Sequence, residues 1–259
     1  MDNIYHRDTN RTTVTEPDDP MEQFPSSMYK KCMIMLGATV VSWLLLLVYN
    51  VHLHKYLPFP KFVLVVIVFL LIVIIHGIPR ISYYSPFIWT LAAIVVLCTI
   101  VLGCAIIDQL TMVTMVLVML GVALLILILN FFGAMCPQEV LPGGVCSTLL
   151  MMALLAVLFI VGIAHLISGN VELLDAFVSI LFVMLIIAIP IQAQFNHGRL
   201  DVVELVPTEH LMICSLTVYL QSIMFFCCVC YFILVDERKA ATETTEDDDL
   251  PETVSFQDT

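Results

Sequence analysis

Seven times along the chain an apolar stretch is long enough to cross a bilayer, and no other feature restricts the fold as tightly. The stretches cover residues 32–53, 61–78, 86–107, 110–132, 145–167, 173–193 and 211–234. At about 1.5 Å rise per residue, about 20 helical residues span a ~30 Å hydrocarbon core. No water reaches that core, so every backbone N–H and C=O must find its partner inside the protein. Tilted barrel strands would need only about 9–11 residues each, so these lengths predict helices. The expected fold is an all-α membrane protein with a seven-helix bundle.

Composition agrees with that class. The chain is 61% hydrophobic and 12% charged, with a mean hydropathy of +1.02, whereas soluble domains are nearer half apolar and a quarter charged. The net charge of −12 comes largely from the two ends of the chain. Six acids (Asp2, Asp8, Glu16, Asp18, Asp19, Glu22) precede residue 23, and nine more lie from Asp236 onward. The expected organisation is a disordered acidic tail over 1–29, a membrane domain over 30–235 and a second disordered acidic tail over 236–259. Residues 1–29 are too polar for a cleavable signal peptide. No basic surface suited to nucleic acid is present.

Positive charge gives a small orientation bias. With seven spans and a cytosolic N-terminus, the inside segments hold Arg7, Arg11, Lys30, Lys31, Arg80 and Arg199. The outside segments hold Lys55, Lys61, Arg238 and Lys239. The rule favours a cytosolic N-terminus. Asn10-Arg11-Thr12 fits the glycosylation pattern and would report the opposite topology.

Most of the nine cysteines lie within or beside apolar stretches and read as small hydrophobes. Cys136 and Cys146 share a loop and would pair only in an oxidising lumen. Cys32, beside Lys30 and Lys31, has the setting of a palmitoylation site. Neither His52-Leu53-His54 nor Phe226-Cys227-Cys228-Val229-Cys230 has the spacing of a metal site. His76 and His165 read as interfacial residues near span ends. Glu172 and Asp175 suit the positive end of a helix dipole. No phosphate loop, catalytic triad or cofactor motif is evident, and neither an enzyme, a resident metal nor a cofactor is expected.

The polar residues at membrane depth carry the functional signal. Pro190 and Gln192 lie in the sixth stretch, and Gln221 lies in the seventh. Gln192 and Gln221 either line a cavity or form an interhelical hydrogen bond, and the bond is the favoured reading. Pro190 removes a backbone donor and predicts a kink.

Several landmarks, read in order, resemble the transmembrane BAX-inhibitor motif family, nearest its lifeguard branch. They are Tyr29-Lys30-Lys31, Tyr84-Ser85-Pro86-Phe87, Val101-Leu102-Gly103, Ile189-Pro190-Ile191-Gln192, His197-Gly198-Arg199-Leu200 with Val203-Glu204-Leu205, and Leu216-Thr217-Val218-Tyr219-Leu220-Gln221. The resemblance covers about residues 29–235. It implies a BAX-inhibitor-like seven-helix fold in an endoplasmic reticulum or Golgi membrane. It also implies a role in organellar calcium homeostasis and in restraining apoptosis, with calcium ion and membrane apoptosis regulators as partners.

The family's pH-sensitive calcium leak is associated with paired aspartates on the sixth and seventh helices. Two close carboxylates share a proton and titrate as a pair. Here the matching positions hold Pro190 and Gln221, and Cys98 stands about where the family has a third-span glutamate. The resemblance therefore implies the layout without the proton switch. The alternative is a non-conducting scaffold that acts through protein partners. A seven-helix receptor shares only the span count.

Overall fold

A computed structural model describes residues 20–49, 51, 71, 85–136, 144–197 and 210–248. Inside its helices, nothing is said of the side chains at 20–23, 85, 105, 144–148 and 240–248. The helices are α1 (Pro20–Val48), α2 (Ser85–Ile107), α3 (Met112–Met135), α4 (Gly144–Ser168), α5 (Val171–Asn196) and α6 (Leu211–Asp248). All six are long and apolar enough to cross a membrane, and no strand occurs among the described residues. The second apolar stretch, 61–78, lies outside the described residues except for Leu71, which packs against the core.

Helix ends follow local chemistry. Thr111 caps α3, its hydroxyl accepting from the Thr114 N–H at 3.2 Å. Asn170 caps α5 in the same way through the Glu172 N–H at 3.0 Å. Between them, Gly169 ends α4 with φ +65°, a conformation that costs a side-chain-bearing residue more than glycine. His165 braces that turn by pairing Nδ1 with the Asn170 carbonyl at 2.9 Å.

Both predicted tails give way to helix next to the membrane. α1 begins at Pro20, inside the stretch expected to be disordered, with proline in a position that needs no intrahelical donor. α6 continues to Asp248, because Ala240, Ala241, Glu243 and Glu246 favour helix and no breaker occurs before Pro251. α1 also closes at Val48, short of the predicted end at residue 53.

Cross-helix contacts fix the directions. Met28 meets Ser215, Trp43 stacks on Phe226 and Lys31 lies over the Trp89 ring, so α1, α2 and α6 run parallel. Tyr29 bonds Asn130 near the end of α3, and Phe182 of α5 packs on Phe225 of α6, so α3 and α5 run the opposite way. α4 runs with α1, joined to α5 by Gly169 and Asn170. One face of the bundle therefore gathers the starts of α1, α2 and α6 with the ends of α3 and α5.

α6 is the hub, touching α1, α2, α3 and α5. Leu216, Tyr219, Phe225 and Cys230 on it are fully enclosed. α4 is the opposite case: it packs on α5, and its Leu149, Phe159, Ile160 and Ile167 are exposed. In a bilayer such a face meets lipid rather than water.

Candidate functional site

The polar residues inside the bundle fall into two groups. The first lies at mid-depth between α1, α2 and α6. Thr39 and Tyr219 share a hydrogen bond of 2.9 Å between their hydroxyls, and both side chains are fully buried. The Tyr219 hydroxyl also meets Thr99 of α2. Thr39 and Thr99 each donate to a backbone carbonyl one turn earlier, Met35 and Val95. Three helices are thus tied at one point by hydroxyl groups, and none of the three carries charge at neutral pH. Next to it Trp43 donates from Nε1 to the Ile100 carbonyl at 3.0 Å. The indole occupies space that only glycine leaves open, because a Cβ on Gly103 would stand 2.7 Å from Trp43 Cε2.

The second group lies at the end of α5. Gln192 donates to Asn196 Oδ1 at 2.9 Å, a bond within one helix. Gln194 is 3% exposed and reaches the Cys136 carbonyl at 3.4 Å. Asn196 is 2% exposed, and its Nδ2 has no hydrogen-bond partner. His197 closes the helix, its Nδ1 2.8 Å from the Ala193 carbonyl, and its ring lies 6.1 Å from that of Tyr29.

Against this geometry the residues singled out in the sequence separate. Asp175 bonds Tyr231 and Phe182 packs on Phe225, which sets the antiparallel register of α5 against α6. That register puts Gln192 level with residues 214 and 215, about 10 Å along the axis from Gln221. Pro190 falls level with residues 216 and 217, about 7 Å from Gln221. Pro190 turns instead toward α3, where a Cβ on Gly133 would stand 2.6 Å from its Cα. α5 remains helical through Pro190 to Asn196. Gln221 is half-buried on α6, and Cys98 is half-buried on α2, next to Thr99. No hydrogen bond joins any two of Pro190, Gln192, Gln221 and Cys98; that of Gln192 runs to Asn196.

Chemically, the interior offers amides, hydroxyls and thiols. Acids within the described spans are confined to their ends, Glu172 and Asp175 at the start of α5 and Asp236 and Glu237 near the end of the α6 span, and Asp175 is held by Tyr231. Among the described residues no three His, Cys, Asp or Glu side chains gather in a way that could hold a metal ion. Cys32 is buried in the core, which removes the access a palmitoylating enzyme needs and corrects that expectation. Cys136 is a buried free thiol, and the side chain of Cys146 lies outside the described residues. Cys228 and Cys230 are packed inside rather than facing lipid.

The hydroxyl cluster escapes sequence reading because its members lie on three helices. Thr39 and Thr99 are ordinary threonines until Tyr219 joins them. Gln192 and Asn196 do carry a signal, since four-residue spacing puts them on one face. Comparison of the chain with known families, characterised proteins and solved structures finds no match.

Proposed function

We propose that this chain is a divergent relative of the transmembrane BAX-inhibitor motif proteins, nearest their lifeguard branch. On this reading it restrains apoptosis from an endoplasmic reticulum or Golgi membrane and runs no proton-gated calcium leak of its own. The observation that carries the second half is chemical. The positions that resemble the family's acid pair hold Pro190 and Gln221, neither of which exchanges a proton, and they stand at different depths. Any effect on organellar calcium then passes through membrane partners.

The proposal includes a seventh span. α1 and α2 point the same way, so the chain between them has to return from one membrane face to the other, and the apolar stretch 61–78 is long enough to do so. This supports a BAX-inhibitor-like arrangement with the two termini on opposite faces. The small bias in positive charge favours the N-terminus in the cytosol.

The test is calcium efflux from liposomes carrying the purified full-length protein, followed between about pH 6 and 8, where a raised carboxylate pair titrates. Efflux is expected to stay low and flat across that window. A leak that changes with pH as in a relative with both aspartates overturns the reading of positions 190 and 221.

A non-conducting scaffold is the second reading, and the packed interior around Tyr219 and Phe225 favours it. Crosslinking in membranes should then capture a partner, and the capture should fail when residues 236–259 are deleted.

A further inference from the structure

α3 and α6 do not close on one another along their whole length. Between them lies an apolar furrow of about 420 Å³, walled by Thr114, Leu117, Gly121 and Leu125 on α3 and by Val229 and Ile233 on α6. It opens sideways toward the bilayer, where Leu117 and Leu125 are exposed. Gly121 keeps it clear: a Cβ there would meet nothing within 4 Å.

Its dimensions choose the occupant. From Thr114 to Leu125 the helical rise is about 16 Å, close to half of a ~30 Å hydrocarbon core and hence one leaflet. Spread over that length, the volume gives the centre of a water-sized sphere a path about 6 Å across, or roughly 9 Å from wall to wall once its 1.4 Å radius is added on each side. A packed helix needs about 10–12 Å. A single file of methylenes, with carbon contacts near 4 Å, fits. The polarity also runs the right way, since the furrow starts at Thr114, whose hydroxyl is 2.7 Å from that of the Thr111 cap, and becomes wholly apolar with depth.

The rim has the chemistry of a headgroup site. Arg238 donates from Nη2 to Gln109 Oε1 at 2.9 Å, two residues before the Thr111 cap of α3. Lys239 follows it, and Asp108, Asp236 and Glu237 belong to the same face. Three acids and two bases share that rim, so it complements a zwitterion better than an anion.

We propose that this furrow binds a zwitterionic glycerophospholipid. One acyl chain lies between α3 and α6, the phosphate sits against Arg238, and the amine points toward the rim carboxylates. The inference does not depend on the family reading.

Native mass spectrometry of the full chain released from nanodiscs tests it, with phosphatidylethanolamine and phosphatidylglycerol discs in parallel. The wild type should retain one phosphatidylethanolamine, and several-fold less phosphatidylglycerol. Gly121→Leu adds an apolar side chain to the furrow wall at a position where a Cβ meets nothing within 4 Å and should cut retention at least fivefold. Arg238→Gln should lower it and erase the preference between headgroups. Gly37→Leu makes the same change on α1, where a Cβ also meets nothing within 4 Å, and should leave retention unchanged. Circular dichroism and the thermal midpoint show that each variant is folded. Equal retention by folded Gly121→Leu and wild type overturns the site, and preferential retention of phosphatidylglycerol overturns the headgroup assignment. A second copy of the chain released by Gly121→Leu in place of a lipid would make the furrow a protein interface and overturn the proposal.

Discussion

α6 has two unlike sets of neighbours. Toward α1 and α2 it is tied by polar side chains: Thr39 and Thr99 to Tyr219, Ser215 to the Met28 carbonyl, and Trp43 bridging α1 to α2 while stacking on Phe226. On the far side, α5 meets α3 by close backbone approach at Gly133 and Pro190. α5 meets α4 where Gly162 makes room for the Phe177 ring. Lipid tails are as apolar as leucine, so burying more leucine drives no association here. Helices in a membrane hold together by hydrogen bonds or by closeness. This chain uses the first means on one side of its hub and mainly the second on the other.

The two means should fail differently. The largest effect is expected where the obstacle is backbone. Gly133→Ala puts a methyl group against the Pro190 Cα and carbonyl, which cannot swing aside, and α3 should separate from α5 at a cost of about 3 kcal/mol. Reversible unfolding in mixed micelles measures it. A variant as stable as wild type would mean that this seam is looser than the close approach indicates.

On the other side, Trp43→Ala removes the indole that spans α1, α2 and α6. A loss of about 3 kcal/mol by the same assay is expected, at or below the cost of Gly133→Ala. Here Trp43→Phe sharpens the comparison: it keeps most of the ring packing, discards the bond to the Ile100 carbonyl, and should lose less than half as much.

Tyr219→Phe takes away a single hydroxyl at the meeting point of three helices. Bonds of this kind in membranes are worth about 0.6 kcal/mol on average. A loss of roughly 1 kcal/mol is expected, because Thr39 and Thr99 keep their bonds to Met35 and Val95. A loss several times larger would show that the cluster acts as a cooperative network. The smallest effect belongs to α4, where Phe159→Leu changes a side chain that is 62% exposed. The unfolding free energy should move by less than about 0.5 kcal/mol. A larger loss would mean that α4 is covered by a partner rather than by lipid.

Much of the architecture was legible beforehand. The stretches 86–107 and 145–167 match α2 and α4 to within a residue at each end, because the transition from apolar to turn-forming residues is abrupt at Pro86, Asp108, Gly144 and Ser168. The outer ends of α1 and α6 are less legible. Charge and proline content there point to disorder, yet Pro20 at a helix start and an Ala- and Glu-rich run after Lys239 are both compatible with helix. The polar interior is less legible. Shared chemistry suggests pairing Gln192 with Gln221, while Gln192 bonds Asn196 on its own helix and the register leaves Gln221 about two turns away.

What the sequence determined alone is the class and the number of apolar stretches. Hydrocarbon excludes water, so a run of about 20 apolar residues has to satisfy its own backbone, and that demand is local and can be read from composition. The tertiary structure decided which faces meet. A soluble helix marks its buried side with an apolar stripe, but a helix apolar all round carries no such mark. Its rotation and depth are set by a few contacts between distant residues, such as Thr39 with Tyr219, Gly133 with Pro190 and Asp175 with Tyr231. None of these pairs is distinguishable in the chain until the helices are packed.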